Sequence, residues 1–276
     1  MTPQTKVVIA ALIFGSSGAF VKFLNLPVMT ISFIRMAVPT LLLFLFFLIK
    51  KEKIFPFHSK LLLLGSFLNA LRMVFYFTGY TYTSIGTAVI LLYTWPVFAV
   101  LYSFLFLKEK ITPRVIILVL TAFSGVILIY SEKASTISSS ELIGIISIIF
   151  SAMVYAGTII IFKYKSDNIS NWHIVFFQNL AGAFIFLPFL FVANDLPDML
   201  QTGVAVTYAV LIGLIGFGLL FSALKQIPAS KVSLLNYMEV ISAVVLGVYF
   251  FEESVTAGTV TGGGLILLSA FLINRK

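Results

Sequence analysis

Two charged side chains, Arg72 and Glu239, stand near the middle of long apolar runs in this 276-residue chain. A charge at the centre of a membrane helix costs about 2.5–3.5 kcal/mol on the insertion scale, where Leu contributes about −0.5 kcal/mol. Two readings follow. The pair could be an internal ion pair that stabilises the fold, or it could bind a polar ligand. In the second, Arg72 takes a carboxylate or phosphate through its planar fork, and Glu239 takes an ammonium group or a proton. Burial and a neighbouring guanidinium act in opposite directions on a carboxyl group, so the charge on Glu239 at neutral pH stays open. Together the two residues suit a zwitterion such as an amino acid, with Glu239 also the candidate for proton coupling.

Polar residues recur around this pair at helical spacing, as expected for side chains that must avoid lipid. One set is Asn69, Arg72, Tyr76 and Tyr80; a second is Ser147, Ser151, Tyr155 and Thr158; a third is Ser230, Ser233, Asn236 and Glu239, with Tyr237 beside it. Thr87, Tyr93, Thr94 and Trp95 form a fourth group, and Ser16 and Ser17 lie in the first apolar run. Tyr76, Tyr93, Trp95, Tyr155 and Tyr237 could form aromatic walls, with cation–π contacts. The candidate substrate-binding set is Arg72, Glu239, Tyr76, Tyr93, Trp95, Tyr155, Asn236, Tyr237, Ser16 and Asn69. Single hydroxyls carry less weight, because Ser and Thr in membrane helices often only back-bond to a carbonyl or allow close packing. Gly258 and Gly262 are assigned to helix packing. Lys22 and Arg35, near the outer ends of their runs, either snorkel to head groups or form an outer gate. Gln178 and Asn179 lie mid-span with no assigned role.

The elements that position these residues follow from composition. The chain is 60% hydrophobic and 10% charged, with mean hydropathy +1.10. A soluble domain carries about 25% charged residues, so lipid is the solvent for most of this surface. Helices are expected at about Lys6–Leu24, Thr30–Ile49, Leu61–Tyr80, Ser84–Leu107, Pro113–Tyr130, Leu142–Phe162, Trp172–Val192, Val204–Leu224, Ala229–Phe251 and Thr256–Ile273. The first run continues to Leu24 and reads as an uncleaved helix rather than a signal peptide. The Ser/Thr-rich stretch Ser131–Ser140 divides the chain. With the N-terminus in the cytoplasm, fourteen Lys and Arg residues fall on the inner side and only Lys22 and Lys133 on the outer. That asymmetry points to ten spans with both termini inside. The net charge of +8 is therefore a topology signal, and nucleic-acid binding is not expected.

The two halves also match. Sliding Thr83–Ile129 by 144 positions sets Tyr93 on Tyr237, Ala99 on Ala243, Phe106 on Phe250, Glu109 on Glu253 and Thr112 on Thr256. With five helices per copy the copies face opposite ways, an arrangement that underlies alternating access around a midplane site.

These residues resemble the ten-helix EamA-type branch of the drug/metabolite transporter superfamily. Phe14-Gly15-Ser16-Ser17 through Lys22 is similar to that branch's opening motif, with Phe for Trp. Arg35, then Pro96, Val97, Glu109 and Thr112, and then Glu239, Glu253 and Thr256 match further motifs. Val240 stands where Pro is usual and Glu252 where Gly is usual, so an expected kink in the ninth helix loses its cause. The resemblance implies an all-α integral membrane fold with two inverted EamA-like repeats, 1–134 and 135–276. It also implies transport of a small polar or amphipathic metabolite, with helices 1, 3, 4, 6, 8 and 9 around the cavity.

Other classes fit less well. His58 and His173 lie in or beside loops and far apart, and no metal set, nucleophile elbow or phosphate loop is present, so an enzyme, a metal or a cofactor is not expected. Cys is absent, which removes disulfides and thiolate metal sites. Organic cations and phosphorylated or nucleotide-like metabolites are the alternative cargoes; a channel or lipid scramblase is more remote. The expected partners are a small-molecule substrate and membrane lipid, with a homodimer left open. Compactness and short loops suit a bacterial plasma (inner) membrane.

Overall fold

Apolar segments with no water at hand must satisfy their backbone groups internally. Among the described residues the chain does so with helices alone. The structure is a computed structural model and describes residues 1–55, 59–83, 85–131, 141–164, 169–192, 197–252 and 254–273. His58, Ser84, Lys133, Lys165, Glu253, Arg275, Lys276 and the linkers 132–140 and 193–196 lie outside the described residues.

The order is α1 (Pro3–Gly15), α2 (Ser17–Leu24), α3 (Val28–Lys50), α4 (Ser59–Tyr82), α5 (Ile85–Leu92), α6 (Trp95–Leu107), α7 (Pro113–Tyr130) and α8 (Glu141–Tyr164). There follow α9 (Asn171–Ile185), α10 (Leu187–Val192), α11 (Met199–Tyr208), a π segment (Ala209–Gly216), α12 (Phe217–Leu224), α13 (Ala229–Asn236), α14 (Met238–Phe251) and α15 (Ala257–Leu272). Among the described residues eight stretches are long and apolar enough to cross a membrane: Pro3–Leu24, Val28–Lys50, Lys60–Tyr82, Thr87–Leu107, Pro113–Tyr130, Glu141–Tyr164, Met199–Leu224 and Ala229–Phe251. The expected helix at Trp172–Val192 is divided at Phe186, because Pro188 has no N–H with which to continue the hydrogen-bond ladder and sits instead in the first turn of a new helix. The expected last helix forms as the shorter apolar α15.

The rods touch through small residues, as membrane helices do. A Cβ on Gly125 would strike the Gly262 carbonyl, and one on Gly258 the Leu128 carbonyl, so the glycines of α15 do pack on α7. Gly182 of α9 likewise receives Met36 of α3, and Gly79 of α4 receives Ile148 of α8. Inside α3, Pro39 leaves the Arg35 carbonyl without its usual donor. Gly213 of the π segment lies against that carbonyl and the Pro39 ring.

Helices α6 and α14 end in the same unusual way. Lys108 and Glu252, 144 positions apart, both adopt left-handed backbone, at φ 55° and 53°. Glycine takes that conformation without a Cβ clash, whereas other residues are strained by about 1–2 kcal/mol. Lys108→Gly should therefore raise stability by about 1 kcal/mol, or about 2–4 °C in a thermal melt. An unchanged or lower Tm would show that the Lys108 side chain compensates for the strain.

Candidate substrate site

Three long helices are broken at one level of the protein: α1/α2 at Ser16, α5/α6 at Tyr93–Thr94, and α13/α14 at Tyr237. In the second, Pro96 near the start of α6 cannot donate, and Val97 N–H turns back to the Thr94 carbonyl at 3.0 Å. The Tyr93 carbonyl loses its helical donor, and Tyr237 Oη–H donates to it at 3.0 Å. The Tyr93 and Tyr237 rings stack 6.1 Å apart. The ninth expected helix thus breaks although Val240 replaces the usual Pro. The break is fixed by a tertiary hydrogen bond rather than by proline. Ser16 spends its hydroxyl on the Ile13 carbonyl at 2.6 Å, a local bond at the first break.

Glu239 sits one step beyond the Tyr237 break, in the first turn of α14, where a helix N-terminus favours a carboxylate. Gly15 of α1 lets the Glu239 backbone approach closely, and Ser242 Oγ–H donates to the Leu12 carbonyl at 2.8 Å. Asn236 Nδ2 donates to Glu239 Oε2 at 2.9 Å, and the Tyr93 hydroxyl donates to the same carboxylate.

Arg72 of α4 is held from three sides. Its Nε donates to Asn69 Oδ1 at 3.0 Å, and Asn69 Nδ2 donates to the Gln178 carbonyl at 2.8 Å. Ser151 of α8 donates to the Arg72 carbonyl at 2.9 Å. The guanidinium lies over the Tyr155 ring, 4.1 Å from its centroid, and Trp95 meets Tyr155 edge-on at 4.9 Å. Among the described residues neither Arg72 nor Glu239 forms a salt bridge, and no protein acceptor engages the terminal nitrogens of Arg72. The direct ion pair is not made.

Burial separates two roles. Arg72, Tyr76, Tyr80, Tyr155 and Glu239 are partly exposed and form an inner polar and aromatic group. Asn69, Tyr93, Trp95, Asn236 and Tyr237 are buried and brace that inner group. Tyr80, its ring tilted against that of Tyr76 at 4.6 Å and hydrogen-bonded to it, joins the inner group. A further aromatic, Tyr208, comes from α11. It is buried against Phe20 and near Tyr76. A groove of about 350 Å³ lined by Phe20, Met199, Leu200, Gly203, Val204 and Thr207 lies elsewhere. Its lining carries no charge, so it suits a lipid chain better than a polar substrate.

Lys22 and Arg35 engage different neighbours. Lys22 Nζ lies 4.0 Å over the Phe251 ring, linking α2 to the end of α14. Arg35 is buried on α3 and reaches Met73 of α4. Asn179 bonds the Val175 carbonyl at 2.8 Å and the Gly213 carbonyl of the π segment at 3.3 Å, which gives this mid-span residue a role. His173, beside the loop that precedes α9, is buried in the first turn of that helix, stacked on Phe47 at 4.2 Å. Its imidazole bonds the Lys53 carbonyl and Ser170 Oγ, so packing accounts for it.

At another level, Glu109 accepts from Ala229 N at 2.8 Å, from Ser230 N at 3.4 Å and from Ser230 Oγ at 3.2 Å. Lys163 Nζ stands 3.5 Å from the same carboxylate and donates to the Leu224 and Ile227 carbonyls. Pro228, the residue before α13, offers no side-chain cap. Glu109 supplies that cap from 120 residues away.

The EamA-like transporter family model matches residues 4–131 and again 142–275. The chain is 26% identical over 271 residues to the "Pseudopaline exporter CntI" of Pseudomonas aeruginosa (strain UCBPP-PA14), spanning 97% of this chain and 94% of that relative. It is 25% identical to the "Uncharacterized transporter YoaV" of Bacillus subtilis (strain 168), spanning 96% and 94%. A solved structure titled "Crystal structure of protein" superposes with a TM-score of 0.86 at 13% identity, covering 99% of this chain and 96% of that one, a likeness of fold. With the family matched over nearly the whole chain, the polytopic helical fold and a charged, aromatic interior have a common explanation: the chain is a multi-pass membrane transporter and belongs to the EamA-like transporter family of the drug/metabolite transporter superfamily.

Proposed function

We propose that this protein is a secondary transporter of a small zwitterionic metabolite, an amino acid or a close derivative, working by alternating access in the plasma (inner) membrane. The observation that carries the reading is the state of Arg72 and Glu239. Each is held by neighbours and only partly buried, yet neither neutralises the other. A substrate carboxylate fits the free fork of Arg72, its ammonium fits Glu239, and Tyr76 and Tyr155 flank the space between.

The chain crosses the membrane ten times with both termini inside, as two inverted repeats, 1–134 and 135–276. Support comes from the asymmetry of Lys and Arg, from the two family matches, and from the breaks at Tyr93 and Tyr237, which are repeat mates. A proton and a substrate ammonium compete for one carboxylate, so proton entry at Glu239 releases cargo. Export is the favoured direction, supported by the name of one relative as an exporter.

The test is a thermal-shift panel of amino acids, organic cations, nucleosides and sugar phosphates, followed by counterflow in proteoliposomes. A ligand at a hundredfold excess over its Kd stabilises the folded state by about 2.7 kcal/mol. Amino-acid hits with saturable exchange are expected, and Glu239→Gln should flatten the pH dependence of that exchange. Hits confined to cations or to phosphorylated compounds would replace the zwitterion with that class. Unchanged rate and pH dependence in Glu239→Gln would remove the coupling role.

A further inference from the structure

We propose that the substrate carries two anionic groups, and that Arg35 binds the second. The inference rests on the site reading given above and extends it from a neutral zwitterion to one of net charge −1.

Arg35 begins seven residues into α3, about 10 Å along the helix from its start. That depth is inside the apolar part of the span, and the residue is only 8% exposed. Its guanidinium turns to Met73 of the neighbouring helix rather than along α3 to the helix end. Its guanidinium has five N–H donors. Among the described residues it has one acceptor, the thioether sulfur of Met73, 3.1 Å from Nη2. A thioether is a weak acceptor and carries no charge to offset the cation. Burying a cation without an anion is strongly unfavourable unless something supplies the anion.

The surroundings raise the imbalance. Met73 follows Arg72 directly in α4, and Arg35 lies close enough for its charge to act on both Arg72 and Tyr155. Around this part of α4 stand two guanidiniums, Arg35 and Arg72, against one carboxylate, Glu239. One ammonium at Glu239 and one carboxylate at Arg72 leave Arg35 unmatched. A second carboxylate or a phosphate on the same substrate would balance the site. Gln178 of α9 adds to this. It is buried, and neither its amide oxygen nor its amide nitrogen has a partner. Its helix packs against both α3 and α4, the helices that carry the two arginines.

The test compares acids with their amides at constant shape: glutamate against glutamine, and succinate against succinamate. Binding is read by thermal shift and by competition in proteoliposome exchange. Wild type should prefer each acid by about tenfold or more, the scale of one charge-assisted hydrogen-bonded contact. Arg35→Gln should erase that preference while leaving glutamine binding unchanged, and Arg35→Lys should keep part of it. Met73→Leu, which removes only the thioether, should keep all of it and serves as the folding control. If succinate binds as well as glutamate and its binding is lost in Arg35→Gln, the two-anion site stands and the ammonium role of Glu239 falls. If wild type shows no preference for either acid, if no dianion binds, or if the preference survives Arg35→Gln, the proposal is wrong.

Discussion

Arg72→Gln should abolish saturable exchange while leaving the empty protein at least as stable as wild type. The two halves of that result have different causes. A substrate carboxylate deprived of a buried guanidinium loses about 2–5 kcal/mol, or roughly 30-fold or more in affinity. The empty protein loses one hydrogen bond to Asn69, worth about 1.5–3 kcal/mol for a charged donor. It also sheds a mid-span charge that cost about 2.5–3.5 kcal/mol, so the two changes nearly cancel. A structural ion pair would behave otherwise. Removing one partner would strand Glu239 and destabilise the fold by about 3–5 kcal/mol. Melting the ligand-free variant and measuring exchange therefore separates the two roles. A large fall in Tm with substrate binding intact would return Arg72 to a purely structural role.

Glu109→Ala is expected to loosen the protein at the start of α13. The carboxylate caps α13, holds Ser230 and neighbours Lys163, whose ammonium in turn holds the Leu224 and Ile227 carbonyls. Loss of a cap alone costs about 0.5–2 kcal/mol, and the partly buried Lys163 adds to it, for a total of about 2–3 kcal/mol. Because Glu109 and α13 belong to the two different segments that match the family, breaking this tie also favours their separation. The chain has no cysteine, so a single Cys in place of Ser233 gives a clean probe. Its labelling should quicken in Glu109→Ala, with Glu109→Gln intermediate. Unchanged labelling together with a lowered Tm would leave Glu109 as a cap and nothing more.

Much of the site was legible in the sequence because polar groups in lipid must face inward. The spacing of Asn69, Arg72, Tyr76 and Tyr80 put them on one side of α4, and the structure gathers that side around Arg72. The motifs around Glu109 and Thr112 were visible as repeat mates of Glu253 and Thr256, but nothing in them said that Glu109 would cap a helix 120 residues away. The break at Tyr237 was masked by the missing proline, since its cause is a hydroxyl on a carbonyl freed in another helix. For Arg35 the run left open whether the side chain turns to head groups or to the interior, and the structure turns it to Met73.

The sequence by itself determined that lipid is the solvent, that helices carry the fold, and that Arg72 and Glu239 must justify their depth. Each of these depends on composition, period or charge, which a linear chain displays. The tertiary structure alone decided which side each side chain faces, where the helices break, and that the two charges stay apart. In an apolar span the lipid side and the packed side have the same chemistry, so periodicity does not mark the difference. Only the neighbours that the fold brings up, such as Tyr93 to Tyr237 and Met73 to Arg35, fix it.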